Sequence, residues 1–501
     1  MSSRTEPAPA GHWVPGPPSL AAALREGGIA LLAIVAVAVV VRAYHLGSGY
    51  WIDEIYAVQN SFRLSFADIV STYRGDYHHP LYALAARSAL VVFGESPWAL
   101  RLPALIFGVV AIPATYLVAR LALSRRESLL ASLVLAVSYH HVWFSQNARG
   151  YTLVALLALL GTWTLVRLLE TGSWRLAFAY ALIAALGAYT HITMVFVAVG
   201  HALVAGLLLV FPEGDRPRIR WTVAAAAFVL AAVMTILLYA PMLGEVTDFF
   251  LNKPSALRGT STPAWALREA IRVLLVGIGA PAAIAGAIVL AAGAAVGIAG
   301  FVSILRRRRA LGLAMVIAPL VMLGGALAGR GTMYPRFFFF MAGLAVIVVV
   351  RGFFVASEAL ARLQPAMSAS VAGTLLVSLL AGANAASLSY NYRYPKQDFT
   401  GAMDFVLRSR AAGDAVAFAG VPGDPYRTLY GQPWPTVQSV ADLEAVRGAG
   451  RTWLIYTFPR YLEAGSPDLA GIVRRECHER AVFRGTVGGG DMIICTLEPS
   501  E

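Results

Sequence analysis

Apolar runs long enough to cross a hydrocarbon core, about 20 residues each, recur along the chain. They lie near residues 28 to 45, 97 to 122, 127 to 144, 148 to 169, 174 to 190, 192 to 211, 221 to 241, 270 to 304, 310 to 328, 335 to 356 and 367 to 388. The pattern predicts about eleven transmembrane helices, with 270 to 304 read as one tilted helix or as a helix plus a re-entrant piece. With the N-terminus inside, the turns on one side carry Arg125, Arg126, Arg167, Arg175, Arg216, Arg218, Arg220, the run Arg306 to Arg309, Arg351 and Arg362. This is the positive-inside pattern, and the odd number of spans puts everything after residue 390 outside.

The remaining polar chemistry gathers on the opposite side. Outward loops and helix ends hold Asp53, Glu54, Asp76, His78, His79, Tyr139, His140, His141, Gln146, Arg149, Tyr189, His191, Tyr334 and Arg336. A charge costs roughly 2.5 to 3.5 kcal/mol at mid-span on insertion scales, so such a gathering at the membrane edge points to a site. Residues 46 to 96 form an outer loop longer than a connection requires. Asp53 to Phe62 and Pro80 to Phe93 read there as short interfacial helices. A second long outer loop, 242 to 269, contains Lys253, Pro254, Arg258 and Pro263 and is a candidate lid.

Residues 1 to 27 are proline-rich and are expected to be a disordered cytosolic tail, followed by a transmembrane domain over 28 to 389. From Tyr390 the composition changes. A helix from Asp398 to Arg410, strands at 415 to 419 and 453 to 458, a Pro422-Gly423 turn and a closing pair near 476 to 484 and 491 to 497 predict a small α/β domain outside the membrane, 390 to 501. If the last pair is a hairpin, Cys477 and Cys495 fall near its open end. An oxidising exterior permits a disulfide there if the register allows it, and two free buried thiols are the alternative.

Composition sharpens this picture. A 501-residue chain with 58% hydrophobic residues and mean hydropathy +0.65 is a polytopic membrane protein. The net charge of +12 does not indicate nucleic acid, because the arginines lie between spans rather than along one polar face. Two cysteines exclude cysteine-rich metal modules.

Asp53 and Glu54 directly follow the first span. Asp53 has two readings, a catalytic base at the membrane surface or the N-cap of the helix that follows. Glu54 orients the acceptor or the base, or favours the helix N-terminus.

Four stretches together resemble the bacterial relatives of the dolichyl-phosphate-mannose protein mannosyltransferases, a membrane family with the C-type glycosyltransferase fold. They are Trp51-Ile-Asp-Glu54; Asp76-Tyr-His-His-Pro-Leu-Tyr82 with Phe93-Gly-Glu and Arg101-Leu-Pro103; Ser145-Gln-Asn-Ala-Arg-Gly-Tyr151; and Tyr334-Pro-Arg-Phe337. Gln397-Asp-Phe-Thr-Gly-Ala402 also looks like the start of the outer domain in these relatives. The chain departs from the family at His79, where a proline is common, and at Asn147, where a glutamate is common.

The resemblance implies transfer of a sugar from a polyprenyl-phosphate carrier to an acceptor hydroxyl on the outer side, with inversion at the anomeric carbon. Asp53 is then the expected general base, with Glu54 beside it. Arg149 and Arg336 are expected at the donor phosphate. His78 and His79 are candidates for the same phosphate or, with Glu54 or Asp76, for a divalent cation. Asp76, Tyr82, His191 and Tyr334 are expected to line the substrate cavity. The expected partners are the lipid-linked donor, a glycan, lipid or protein acceptor, and membrane lipid, with no nucleic acid. The expected location is the bacterial inner membrane, with the C-terminal domain outside. The rival readings are a lipid-linked-sugar flippase or other transporter, and a non-catalytic subunit of an envelope polysaccharide machine.

Overall fold

The computed structural model describes residues 20–212, 220–252, 263–277, 284–328, 334–421, 424–448 and 450–499. Lys253, Pro254 and Arg258 of the second loop, Arg216 and Arg218, and the Pro422-Gly423 turn lie outside them. Among the described residues nine helices are long and apolar enough to cross a membrane, from Leu20–Ala43 to Ala369–Arg393. The protein is a multi-pass α-helical membrane protein with a small C-terminal sheet domain.

Two of the eleven expected spans take a different form. Trp174–Thr190 is apolar but has only 17 residues, about 26 Å of helix against a core of about 30 Å. The stretch predicted as 127 to 144 is two helices, Arg125–Val137 and Tyr139–Ser145, bent by 57°. The break falls at Ser138, whose backbone is extended. It frees carbonyls that need donors inside the membrane. Buried Arg42 supplies them, donating to Ala136 O at 2.7 Å and Leu135 O at 3.3 Å, and to Ser145 Oγ at 3.1 Å. Gly108 makes the bend fit, because a Cβ there would lie 2.2 Å from Ser145 Oγ.

Helix starts at Leu20, inside the segment expected to be tail, and breaks at Gly28, whose φ of 55° is non-helical, so a short helix precedes the span predicted from residue 28. Glu26 anchors this short helix, pairing with Arg120 at 3.0 Å while its carbonyl accepts from Arg125 Nε. The stretch predicted as 270 to 304 overlaps two described helices, Pro263–Gly277 and Ile284–Arg307.

The C-terminal domain is a five-stranded sheet. Its strands are β1 (Ala415–Ala419), β2 (Thr436–Val437), β3 (Thr452–Tyr456), β4 (His478–Phe483) and β5 (Met492–Leu497), in the order β2-β1-β3-β5-β4. β1 runs parallel to β2 and β3, while β5 is antiparallel to β3 and β4. Side chains alternate across the sheet. Ala417, Ala419, Leu454 and Cys495 face a helical layer through Leu443, Leu462 and Val473. Val416, Phe418, Ile455 and Ile494 face Phe399, Ala402 and Val406, and this core continues into Trp51, Ile52, Ile55 and Phe62 of the first loop. The Ile52–Ala57 helix is therefore buried beneath the sheet domain rather than spread on a lipid surface, whereas Pro80–Phe93 leaves Val91, Val92 and Phe93 exposed.

Cys477 and Cys495 form a disulfide with a Cα separation of 5.5 Å. Glu479, not Cys477, is directly opposite Cys495. The bridge is diagonal, and an even offset keeps both side chains on one face.

Candidate active site

The site is built from the Ile52–Ala57 helix outward. Glu54 is fully buried and bidentate with Arg101, at 2.5 Å from Nη2 to Oε2 and 2.8 Å from Nε to Oε1. It also accepts the Ala148 amide at 2.7 Å. Arg101 in turn donates to the carbonyls of Leu46, Ser48 and Gly49. Burial alone raises the Glu54 carboxyl, but the charge and hydrogen bonds of Arg101 outweigh it and hold the group below the usual carboxylate range. Trp51 Nε1 donates to Asn147 Oδ1 at 3.1 Å, and the Ile52 amide donates to Gln397 Oε1 at 3.0 Å. Glu54 thus fixes the helix and the Gln146-Asn147-Ala148 turn in one frame. Its oxygens are engaged there by Arg101 and by the Ala148 and Trp51 amides.

Asp53 is the second residue of this helix, and Trp51 holds the N-cap position, which removes the capping reading. Its Oδ2 accepts from Arg336 Nη1 at 3.0 Å. Arg336 sits in the tight 3-10 turn Pro335–Met341, and its guanidinium carbon stacks 4.5 Å from the Tyr334 ring centroid. The Tyr334 hydroxyl accepts from Tyr461 of the sheet domain at 3.3 Å, and the Trp265 ring stands edge-on to it at 5.8 Å.

Arg149 enters from the turn after the bent helix pair. Its guanidinium lies 5.4 Å from the Tyr77 ring centroid and 6.0 Å from that of Tyr151. Nη2 is 3.2 Å from His79 Nε2. The Gly150 amide donates to His79 Nδ1 at 3.1 Å. Burial first, and the Arg149 charge second, hold His79 well below the ordinary imidazole range, so the ring is neutral. With Nδ1 accepting, the ring proton is on Nε2. Two donors then converge at 3.2 Å, an arrangement that an anion's oxygen completes. His191 stands edge-on to His79 at 4.7 Å, and Tyr151 and Phe337 flank it.

Asp53, His79, Arg149, His191, Tyr334 and Arg336 are thus brought together. Two other expected site residues, Tyr82 and His78, have their polar atoms engaged elsewhere. Tyr82 is fully buried, with its hydroxyl on Leu100 O at 2.8 Å, so it packs the loop rather than lining a cavity. His78 has both ring nitrogens engaged, by Ser61 Oγ at 3.3 Å and Ile69 O at 3.0 Å, and is not at the anion position. Asp76 lies in the short turn Gly75–Tyr77, and its side chain is outside the described residues. Among the described residues no group of three His, Cys, Asp or Glu side chains could hold a metal ion.

Tyr77, Arg101, Tyr151 and Phe337 lie within the quoted motifs, but sequence gives them no role. Trp265 and Tyr461 carry no sequence signal, because only folding brings the second loop and the sheet domain to Tyr334.

Residues 77–239 match the family model described as dolichyl-phosphate-mannose-protein mannosyltransferase, which is the family the motifs resemble. The match includes His79, Arg149 and His191 and leaves out Asp53 and Arg336. A search of the curated proteins finds no match. Among solved structures, the archaeal oligosaccharyltransferase AglB from Archaeoglobus fulgidus, in complex with an inhibitory peptide and a dolichol-phosphate, is similar with TM-score 0.54 and 13% identity, over 92% of this chain and 74% of that one. ArnT from Cupriavidus metallidurans in the apo state is similar with TM-score 0.51 and 12% identity, over 95% of this chain and 98% of that one. A. fulgidus oligosaccharyltransferase in complex with Zn and sulfate gives TM-score 0.52 and 12% identity over 93% and 72%. At these identities the likeness is one of fold, that of the C-type glycosyltransferases.

Proposed function

We propose that this chain is an inverting glycosyltransferase that moves a sugar from a polyprenyl-phosphate donor to an acceptor hydroxyl on the outer side of a bacterial inner membrane. The observation that carries the reading is the Asp53–Arg336 pair beside Arg149 and His79, one carboxylate among convergent cationic and neutral donors.

In this reading an Asp53 carboxylate oxygen takes the proton of the acceptor hydroxyl as its oxygen attacks the anomeric carbon. The bond from that carbon to the phosphate oxygen breaks on the opposite face, which inverts the centre. The electron pair leaves on the polyprenyl phosphate. Arg336, Arg149 and His79 Nε2–H meet the developing charge, as electrostatic stabilisation of a leaving group requires. Glu54, through Arg101 and Ala148, holds the helix that presents Asp53. His191 and Tyr334 border the donor side, and residues 390 to 501, outside the membrane, border the acceptor side through Tyr461. The family match and the fold support this class of chemistry.

The test is single-turnover loss of sugar from a panel of polyprenyl-phosphate sugars in lipid nanodiscs with acceptor extract, which also identifies the sugar. Sealed vesicles run in parallel follow movement of the same lipids across the bilayer. Transfer from one donor, dependent on Asp53, is expected. Transbilayer movement without transfer would replace the enzyme with a flippase.

A further inference from the structure

The end of the bundle opposite Asp53 holds a recess of about 440 Å³, walled by Arg126, Glu127, Arg307, Arg351, Phe354 and Glu358. Its two carboxylates are engaged. Arg351 Nη1 donates to Glu127 at 2.7 Å and to Glu358 at 2.9 Å, and Nη2 reaches the second Glu358 oxygen at 3.1 Å. The other Glu127 oxygen accepts the Ser124 amide at 2.8 Å. Among the described residues Arg126 and Arg307 have neutral hydrogen-bond partners, the Ser370 hydroxyl for one and the Ala122 carbonyl for the other. Three arginines against two glutamates leave the walls with a net charge of +1, the Arg351 cluster contributing −1 and Arg126 with Arg307 contributing +2.

The setting favours a particular anion. Arg126 stands in the first turn of the Arg125–Val137 helix and Arg307 closes the Ile284–Arg307 helix, so both are at helix ends, at the arginine-rich level of the bundle. Below them Phe354 is almost fully buried and gives the recess an apolar wall. Two guanidiniums and an apolar ring lining one recess fit a phosphate that carries hydrocarbon. Basic pockets between transmembrane helices on the cytoplasmic side hold anionic headgroups in this way.

We propose that this recess binds the phosphate headgroup of an anionic membrane lipid, with Arg126 and Arg307 as the phosphate donors. The site is separate from the catalytic centre and does not depend on the glycosyltransferase reading.

The experiment uses the full-length protein, delipidated in detergent. Native mass spectrometry counts retained phosphatidylglycerol or phosphatidylcholine, with inorganic phosphate as a competitor. Wild type is expected to retain phosphatidylglycerol over phosphatidylcholine and to resist displacement by millimolar phosphate. Arg126→Gln with Arg307→Gln should weaken that binding by about 30-fold, as two surface cations at about 1 kcal/mol each imply. Arg126→Lys with Arg307→Lys, which keeps the charge, should retain the preference and guards against a folding defect in the first variant. Undiminished phosphatidylglycerol binding in the Gln variant, or equal loss in the Lys variant, would overturn the proposal. Displacement by inorganic phosphate would also overturn it, in favour of a free-anion site.

Discussion

Asp53 and Arg336 meet at 3.0 Å although 283 residues separate them. The pair joins the start of the first outer loop to the start of a late transmembrane segment. While Arg336 pairs with Asp53, the carboxylate is held in place but shares a lone pair with a cation. In the proposed reaction a phosphate that draws Arg336 away would free that lone pair to accept a proton. Donor binding would thereby ready the base.

Removing the carboxylate should therefore not harm donor binding. Asp53→Asn leaves Arg336 without its counter-ion, and donor affinity measured by equilibrium binding in nanodiscs should equal or exceed that of wild type. A loss of affinity would show that Asp53 itself contacts the donor.

The two arginines should behave in the opposite way. Arg336→Ala and Arg149→Ala each remove a charge-assisted hydrogen bond, typically about 1.5–3 kcal/mol, so donor affinity should fall by roughly 10- to 150-fold in each. Unchanged affinity in either variant would remove that residue from the phosphate site.

The Glu54–Arg101 pair has no exposed surface on either side chain. Breaking one partner of such a pair typically costs about 3–5 kcal/mol, whereas replacing both by apolar groups of similar volume can be nearly neutral. Glu54→Gln and Arg101→Met should each lower the unfolding temperature. The double replacement Glu54→Leu with Arg101→Met should lower it by less than the two single effects together. Additive losses would argue against a mutually compensated pair.

Lys396 gives a pH dependence. Its ammonium donates to Gln146 O at 2.5 Å in a buried setting, where burial first and the Arg101 charge second lower its pKa to about 7. Between that value and the ordinary lysine range the unfolded chain holds the proton and the folded chain does not, so stability rises with pH across that window. Below pH 7 both states are charged and the cost of burying the cation is present in full. Lys396→Met should flatten this rise, which thermal melts from pH 7 to 10 would reveal. An unchanged pH profile would mean that Lys396 keeps its proton when folded.

The disulfide closes a loop of sequence separation 18 between Cys477 and Cys495, a size for which chain-entropy reasoning gives about 3 kcal/mol. Peptide mapping of the non-reduced protein should find the two cysteines linked, and reduction should destabilise the sheet domain selectively. Two free thiols in protein recovered from an oxidising compartment would contradict the bridge.

Much of this architecture is legible from pattern alone. Long apolar runs mark the spans, and β1 falls at 415 to 419, the short apolar run where a strand is predicted. Polarity also marks the end of the bundle where the candidate site lies, because charge is costly within the hydrocarbon. It does not tell which partner each group finds. Glu54 meets Arg101, and His78 meets Ser61 and the Ile69 carbonyl. Those contacts turn two candidate site residues into parts of the frame. Tyr82 is misplaced for the same reason, since an outward aromatic looks alike in sequence whether its hydroxyl meets a substrate or the Leu100 carbonyl. The bend at Ser138 is hidden by continuous hydropathy, and it depends on Arg42, far earlier in the chain, to satisfy the freed carbonyls.

The most direct test of Asp53 as general base is the rate of sugar transfer by Asp53→Asn at saturating donor and acceptor, on protein whose unfolding temperature matches wild type. A fall of about 10²- to 10⁴-fold, the usual contribution of a general base, with donor still bound, is the expected result. Transfer within a few-fold of wild type would mean that the proton leaves by another route and that Asp53 serves only to hold Arg336.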